Sequence, residues 1–282
     1  MADRRAPLSH CAGLVRQHDR DRWLTLLYAH PDDREALAAL YAFNHEVAKT
    51  RESVSEPMVG EIRLEWWRET IEGIYGGTVR RHPVAEALAE AIATHSLPQD
   101  AFERMIAARR EDLYDERPKT VAALVAYADN TAGELGALAA RICAGDEVAI
   151  RAARAVGRGW ALTGLVRALG FQARMGRLML PDEALREAGI DPATIFRGDF
   201  PEEGRPVIAA IAAAARAAMD DARATGSRIA ARARSPLLLA VLAEDYLMRL
   251  ARASHDPFAA DFRRGALARQ WKLLLAALRG RW

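Results

Sequence analysis

The feature that most constrains the fold of this chain is its helix-forming composition. Ala, Leu, Arg and Glu dominate the sequence, and all four favour the α-helix. β-branched residues are sparse and nowhere alternate with polar residues over the length that a half-buried strand requires. Hydrophobic residues make up 51% and charged residues 28%, which is typical of a globular protein rather than of a disordered or membrane-spanning chain. The sequence therefore predicts an all-α fold.

Prolines and capping residues divide the chain into about ten predicted helices. These helices cover about residues 9–28, 31–53, 57–76, 83 onward, 98 onward, 121–143, 146–171, 206 onward, 236 onward and 266–278. A loop with short helical turns is expected over residues 176–204. No linker or internal repeat separates two halves, so we predict a single domain over residues 1–282.

The third predicted helix carries apolar residues at helical spacing. Ile62, Trp66, Ile71 and Ile74 predict its buried face. The neighbouring Trp67 points to another face, so we expect Trp67 to be exposed and available to a partner.

Charge and cysteine content exclude several classes of protein. The 40 Lys+Arg residues nearly balance 38 Asp+Glu residues, which argues against a nucleic-acid partner. Cys11 and Cys143 are too few for a disulfide framework and fit a reducing compartment. The N-terminus lacks the apolar core of a signal peptide, and the longest apolar runs fall short of the ~20 residues that span a bilayer. We therefore expect a cytoplasmic location.

Common catalytic motifs are incomplete in this sequence. The segment from His45 to Lys49 begins like a zinc-protease helix but lacks the second histidine, so no metal site is predicted there. Gly157 and Gly159 lie in a helical context without a preceding strand, which excludes a dinucleotide fingerprint.

Three segments resemble conserved segments of the squalene/phytoene synthase family. They are residues 38–52, 124–136 and 159–181, in the same order and at similar spacing. The resemblance implies the isoprenoid (trans-prenyl) synthase fold, a helical bundle around a central cavity. In that family, carboxylates on two facing helices hold Mg²⁺ ions that grip the diphosphate of a prenyl substrate.

This chain departs from the family at the metal-binding positions. Ala48, Lys49 and Glu52 stand where the first aspartate motif is expected, and Ala168 and Gln172 stand at the second. Only Glu52 is acidic, and a nearby lysine disfavours a bound cation. We therefore predict a pseudoenzyme with no catalytic residues, no metal and no cofactor.

A second resemblance is closer and is consistent with the missing aspartates. Residues 42–76, 176–181 and 270–271 resemble an aspartate-lacking branch of the same superfamily, the assembly factors of respiratory complex I. The resemblance implies a non-catalytic role at a bacterial inner membrane, with complex I subunits or other assembly factors as partners. The alternatives are a Mg²⁺-dependent prenyltransferase that uses Glu52 and unrecognised acids, and a carrier of lipids or isoprenoids.

Basic residues near the two motif positions form a candidate ligand site. We hypothesise that they bind an anionic lipid head group or a prenyl diphosphate without metal, since arginine suits bidentate phosphate contacts. The residues are Lys49, Arg51, Arg167, Arg174 and Arg177. The alternative is that Lys49 pairs with Glu52 and that the arginines pair with nearby acids or face solvent.

Three polar residues lie where the family lines its cavity. Tyr41, Asn44 and Tyr127 are candidate ligand contacts by this resemblance. The alternative is that they pack in the core with hydrogen-bonded polar tips.

The C-terminal segment is basic and amphipathic. Residues 262–282 contain six cations and no acid. An apolar stripe is formed by Leu267, Trp271, Leu274, Leu275 and Leu278. This pattern predicts a helix that lies peripherally on an anionic membrane. The alternative is a terminal helix that docks on the bundle with a solvated basic face.

Overall fold

The computed structural model describes residues 8–225, 229–263 and 265–282. All regular secondary structure in these residues is helical, which confirms the predicted all-α class. The helices are α1 (His10–His18), α2 (Arg20–Leu26), α3 (Arg34–Ala48), α4 (Pro57–Tyr75), α5 (Pro83–His95), α6 (Gln99–Glu111), α7 (Val121–Ala128), α8 (Glu134–Ile142), α9 (Glu147–Arg174), α10 (Asp182–Glu187), α11 (Pro192–Phe196), α12 (Arg205–Ala224), α13 (Leu239–Arg252) and α14 (Ala266–Leu278).

Local sequence signals explain many of the helix ends. Pro57 and Pro83 each stand in the first turn of a helix, where proline's missing N–H would have no intrahelical partner. Asp146 accepts the backbone N–H of Ala149 and thereby caps α9. The loop predicted over residues 176–204 contains the short helices α10 and α11.

Two of the predicted long helices are interrupted. The first breaks at Asp19, whose side chain accepts the backbone N–H of Arg22 and caps α2. The segment predicted over residues 121–143 contains a π-helical turn, Asp129–Gly133, between α7 and α8. Both interruptions begin at an aspartate, a residue whose side chain competes for backbone hydrogen bonds.

Helix α9 organises the core. It packs against α8, α12 and α13, and its buried residues contribute to both clusters of buried apolar side chains. Glycines allow the close approach to its neighbours. A Cβ atom on Gly136 of α8 would lie 2.2 Å from the Ala153 carbonyl oxygen, and one on Gly157 would lie 2.0 Å from that of Ala132.

The prediction for the buried face of α4 was wrong for Ile62 and Trp67, whereas Ile71 of the predicted face is fully buried. Trp67 is 1% exposed, whereas Ile62 is 64% exposed and Trp66 is only half-buried. The buried face instead includes Gly60 and Thr70, which are not large apolar residues. A Cβ on Gly60 would lie 2.4 Å from the Leu113 side chain, so the glycine lets the helix approach there. That approach turns Trp67 into the core, against Phe43.

Neither cysteine forms a disulfide, since Cys11 and Cys143 are both buried as free thiols. Burial raises the pKa of Cys11 to about 11 and that of Cys143 to about 12. Among the residues described by the structure, no helix has the length and apolar character needed to cross a bilayer.

Candidate functional site

The two motif positions border a small cavity. The turn after α3 and the C-terminal end of α9 with its following turn line it. The lining residues are Arg51, Glu52, Val54, Phe171, Gln172, Met175 and Arg177. The cavity volume is about 100 Å³. Small-molecule sites generally have volumes of ~300–1,000 Å³, so this cavity is too small for a prenyl chain in the conformation described.

Lys49 is engaged by an acid that the sequence analysis did not pair with it. Its Nζ lies 2.5 Å from an oxygen of Glu46, one turn earlier on α3, so Lys49 does pair with an acid, as the alternative to a ligand site held, but the acid is Glu46 and not Glu52. Arg63 of α4 holds the other Glu46 oxygen at 2.8 Å. Burial tends to raise the pKa of Glu46, but the hydrogen bonds from Lys49 and Arg63 outweigh it and lower that pKa.

Arg51 and Arg177 share one carboxylate. Arg51 Nε donates to Asp115 at 3.1 Å, and Arg177 Nε forms an ion pair with the same oxygen at 2.9 Å. Arg177 also donates through Nη2 to the backbone carbonyl of Asp112 at 3.3 Å. The hydrogen bonds that Arg51 donates to Asp115 raise the pKa of Arg51. The turns after α3 and α9 are therefore joined through the turn after α6.

The second motif position brings no carboxylate into the cavity. Gln172 lines the cavity, and its Oε1 atom is buried without a hydrogen-bond donor among the residues that the structure describes. Ala168 stands four residues earlier on α9 and is half-buried. Arg174 is exposed and makes no ion pair within the described part of the chain.

Arg167 belongs to a different cluster from the other candidate cations. Its Nη1 lies 2.9 Å from Asp21, and its guanidinium carbon stands 4.5 Å from the ring centroid of Tyr246. Arg269 of α14 reaches the other oxygen of Asp21 at 2.8 Å. The five predicted ligand cations are therefore not gathered in one site, because Lys49 and Arg167 are each held by acids outside the cavity.

The three polar candidates from the sequence analysis are buried. Tyr41 and Asn44 of α3 are 3% and 9% exposed. Tyr127 donates to Asp112 at 3.0 Å and accepts from Arg109 at 2.5 Å. Burial raises the pKa values of Tyr41 and Tyr127 well above that of free tyrosine. The arrangement of Tyr127 matches the alternative of a buried side chain with a hydrogen-bonded tip.

Asp112 and Asp115 pair with the arginines of the site, and neither acid was predicted from the sequence. Asp112 and Asp115 lie in a short turn directly after α6, and Asp115 has a left-handed backbone with φ of 54°. The available signal was local, because residues 111–116 contain four acids in six positions. Asp112 pairs with Arg109 at 3.1 Å, while Asp115 reaches across to Arg51 and Arg177.

The residues at the motif positions do not fit the pair of Mg²⁺-binding motifs that the fold family implies. Magnesium prefers several oxygen ligands, and here Ala48 and Ala168 offer none, while Gln172 offers one neutral oxygen. Glu52 is the remaining acid of the motifs, and Asp115 is already engaged by two guanidinium groups. Within the described ranges, no group of three or more His, Cys, Asp or Glu residues is arranged to hold a metal ion.

The C-terminal helix docks on the bundle through two of its basic residues. Arg269 and Lys272 face the bundle, where they pair with Asp21 and Asp245. The expected solvated basic face was wrong for these two cations. Leu267 and Leu278 of the apolar stripe are 71% and 75% exposed. A third basic residue of the segment, Arg264, lies outside the described residues.

The fold and the sequence together define a class. The squalene/phytoene synthase family matches residues 15–273, and the chain belongs to that family. A dehydrosqualene synthase has a similar structure, with a TM-score of 0.83 and 18% identity, covering 96% of this chain and 95% of that one. This structural likeness confirms the predicted isoprenoid synthase fold.

Two groups of relatives are similar to this chain in sequence. Complex I assembly factor 6 of Rattus norvegicus is 29% identical over 255 residues, covering 89% of this chain and 77% of the relative. The protein of Homo sapiens with the same name is 28% identical over 250 residues, covering 88% of this chain and 75% of the relative. A chloroplastic phytoene synthase of Daucus carota is 28% identical over 242 residues, covering 82% of this chain and 60% of the enzyme.

Proposed function

We propose that this chain acts in the assembly of respiratory complex I and does not condense prenyl diphosphates. Its similarity to the assembly factors over most of its length supports the first part. The second part is carried by one observation: Arg51 and Arg177 hold Asp115 at the site where the family concentrates metal-binding carboxylates. An internal pairing of charges thus replaces a metal-binding pair of motifs.

The proposed partners are complex I subunits or other assembly factors. The proposed place of action is the cytoplasmic face of a bacterial inner membrane. In this proposal the fold acts as a scaffold.

The alternative function is a Mg²⁺-dependent prenyltransferase of the squalene/phytoene synthase type. Family membership supports it, and Glu52, Asp112 and Asp115 are acids near the motif positions. Two features argue against it. The cavity of about 100 Å³ leaves too little room for substrate, and the two aspartates are already paired with arginines.

A metal-free anionic ligand is a separate proposal for the same site. Arg174 is exposed beside the cavity and makes no ion pair within the described residues, so its guanidinium group is available to an anion. A phosphate group would bind by competing with Asp115 for Arg51 and Arg177. Mass spectrometry of the purified protein tests for retained lipid, and the variant Arg51→Glu with Arg174→Glu should remove it. A parent protein without any lipid would contradict this ligand.

Gene deletion with two readouts tests the proposed function. Loss of the chain should lower the NADH dehydrogenase activity of membranes and leave squalene and carotenoid levels unchanged. Complementation with the parent gene should restore the activity, and so should a variant with Glu52→Gln, which removes the last motif acid. Intact complex I with loss of an isoprenoid product would instead support the prenyltransferase. If the chain is instead a carrier of lipids or isoprenoids, the purified protein should bind prenyl lipids and leave them chemically intact.

A further inference from the structure

Helix α14 is attached to the bundle by its charged side. Arg269 lies 2.8 Å from an oxygen of Asp21, and Lys272 pairs with Asp245 on α13. Leu273, on the same side of the helix, is completely buried. Asp21 and Asp245 are themselves almost fully buried, so these contacts fix which side of α14 faces the bundle.

The opposite side of α14 is an exposed apolar stripe. The positions are four, four and three residues apart, a spacing that places them on one side of a helix. The residues and their exposed fractions are Leu267 (71%), Trp271 (62%), Leu275 (44%) and Leu278 (75%). Amphipathic helices of globular proteins ordinarily bury such a stripe, so an exposed one marks a surface that is covered in use.

The charge around the stripe is of one sign. Residues 262–282 contain no acid, and Arg263, Arg279 and Arg281 are exposed. Arg234 adds a further cation beside the end of the helix, since its Nη1 would lie 2.9 Å from a Cβ on Gly280. The inward-facing cations pair with Asp21 and Asp245, whereas the exposed arginines lie before and after the apolar stripe in the sequence.

We propose that this outer face of α14 docks on an anionic lipid bilayer. Leucine side chains would enter the interface between head groups and acyl chains, and Trp271 would sit at the same depth, where indole rings are favoured. The flanking arginines would contact lipid phosphates. A bilayer explains both properties at once, because it offers apolar depth and a negative surface over the full length of the stripe. The proposal does not rest on the role in complex I assembly.

Substitution within the stripe is a sharper test than removal of the helix. Removal would take one cation away from each of Asp21 and Asp245 and would uncover the surface that the buried Leu273 covers, so it would disturb the fold. The double variant Leu267→Glu with Leu278→Glu changes two exposed side chains and should fold as the parent does. Circular dichroism and thermal unfolding check this point.

Vesicle flotation of the full chain measures the docking. The parent should float with vesicles that contain phosphatidylglycerol and should float far less with pure phosphatidylcholine. The stripe variant should partition at least about tenfold more weakly, since each leucine contributes more than 1.4 kcal/mol when buried. A matched control is Met58→Glu with Ile62→Glu on α4, whose side chains are 72% and 64% exposed, and it should bind like the parent.

Two outcomes would overturn the proposal. Equal flotation of the stripe variant and the parent would show that the stripe does not meet lipid. Sedimentation equilibrium tests whether a second copy of this chain covers the stripe instead of lipid. If the parent is a dimer, and if the stripe variant is a monomer that floats as the parent does, the face is a dimer interface.

A third variant, Arg279→Gln with Arg281→Gln, should weaken flotation and reduce its dependence on salt.

Discussion

Arg51 and Arg177 approach Asp115 from the ends of two different helices and contact the same carboxylate oxygen, at 3.1 Å and 2.9 Å. The two arginines stand 126 positions apart in the sequence, and the aspartate belongs to the turn after a third helix. Each guanidinium group is thus paired with an acid of the chain itself. In the proposed function, this pairing stands at the place of the metal-binding carboxylates of the family's motifs.

Removal of the shared carboxylate should release both arginines. We expect Asp115→Asn to lower the free energy of unfolding by about 1–2 kcal/mol, since the pairs are partly exposed to solvent. We also expect added pyrophosphate to raise the melting temperature of the variant more than that of the parent. Thermal unfolding with and without pyrophosphate measures both effects.

Asp182→Asn is the control for this experiment. Asp182 pairs with Arg117 and has nearly the same side-chain exposure as Asp115, 34% against 35%. It should show a similar loss of stability without a gain in the pyrophosphate effect. An equal response of both variants to pyrophosphate would contradict the account of the site.

The two adjacent tryptophans of α4 should differ in their contribution to stability. Trp67 is fully buried against Phe43, so Trp67→Ala should cost about 3–5 kcal/mol through lost burial and the cavity left behind. Trp66 is half-buried under Arg80, and Trp66→Ala should cost only about 1–2 kcal/mol. Urea unfolding of both variants measures the difference. Equal losses of stability would contradict the finding that Trp67, and not Trp66, faces the core.

Two glycines of α9 should respond oppositely to alanine. A Cβ on Gly157 would lie 2.0 Å from a backbone oxygen, whereas one on Gly164 would meet nothing within 4 Å. We expect Gly157→Ala to destabilise the protein by about 2–3 kcal/mol, because two helix backbones must move apart. Gly164→Ala should stabilise it by about 0.5–1 kcal/mol through helix propensity. Chemical unfolding tests the pair, and a tolerated Gly157→Ala would disprove the close contact of α9 with the α7–α8 segment.

Histidine 45 should make stability fall in mild acid. Burial, together with His18 and Lys49, lowers the pKa of His45, and its ring stacks on that of His18 at 4.3 Å. Below about pH 6.5 the unfolded chain takes up a proton at this position while the folded protein does not, so unfolding becomes more favourable. His45→Gln should reduce the loss of stability between about pH 7 and pH 5. The exposed His10 provides the control, and an equal effect of His10→Gln would count against this explanation.

Local signals predicted most of the helices of this chain but not the breaks at Asp19 and at Asp129–Gly133. Pro57 and Pro83 mark starts that the structure confirms, and the predicted bounds of the last helix, 266–278, coincide with those of α14. The alanine- and arginine-rich composition gave the fold class, because few residues could support a sheet. The family's motif segments gave the topology and the place of the site.

Long-range contacts account for what the sequence could not predict. The burial of Trp67 depends on Gly60, which lets α4 approach Leu113, and no periodicity in α4 contains that information. The role of Asp115 depends on two arginines from distant parts of the chain. For α14, the sequence revealed both the basic residues and the apolar stripe, but Asp21 and Asp245 determined which side faces the bundle.

Diphosphate release by the purified full chain tests the central claim most directly. The protein is incubated with farnesyl or geranylgeranyl diphosphate and Mg²⁺, with an active phytoene synthase as positive control. We predict no release above that of a protein-free blank, because Ala48, Ala168 and Gln172 cannot hold the metal and Asp115 is bound by Arg51 and Arg177. Mg²⁺-dependent release of diphosphate with formation of a condensed prenyl product would contradict the account.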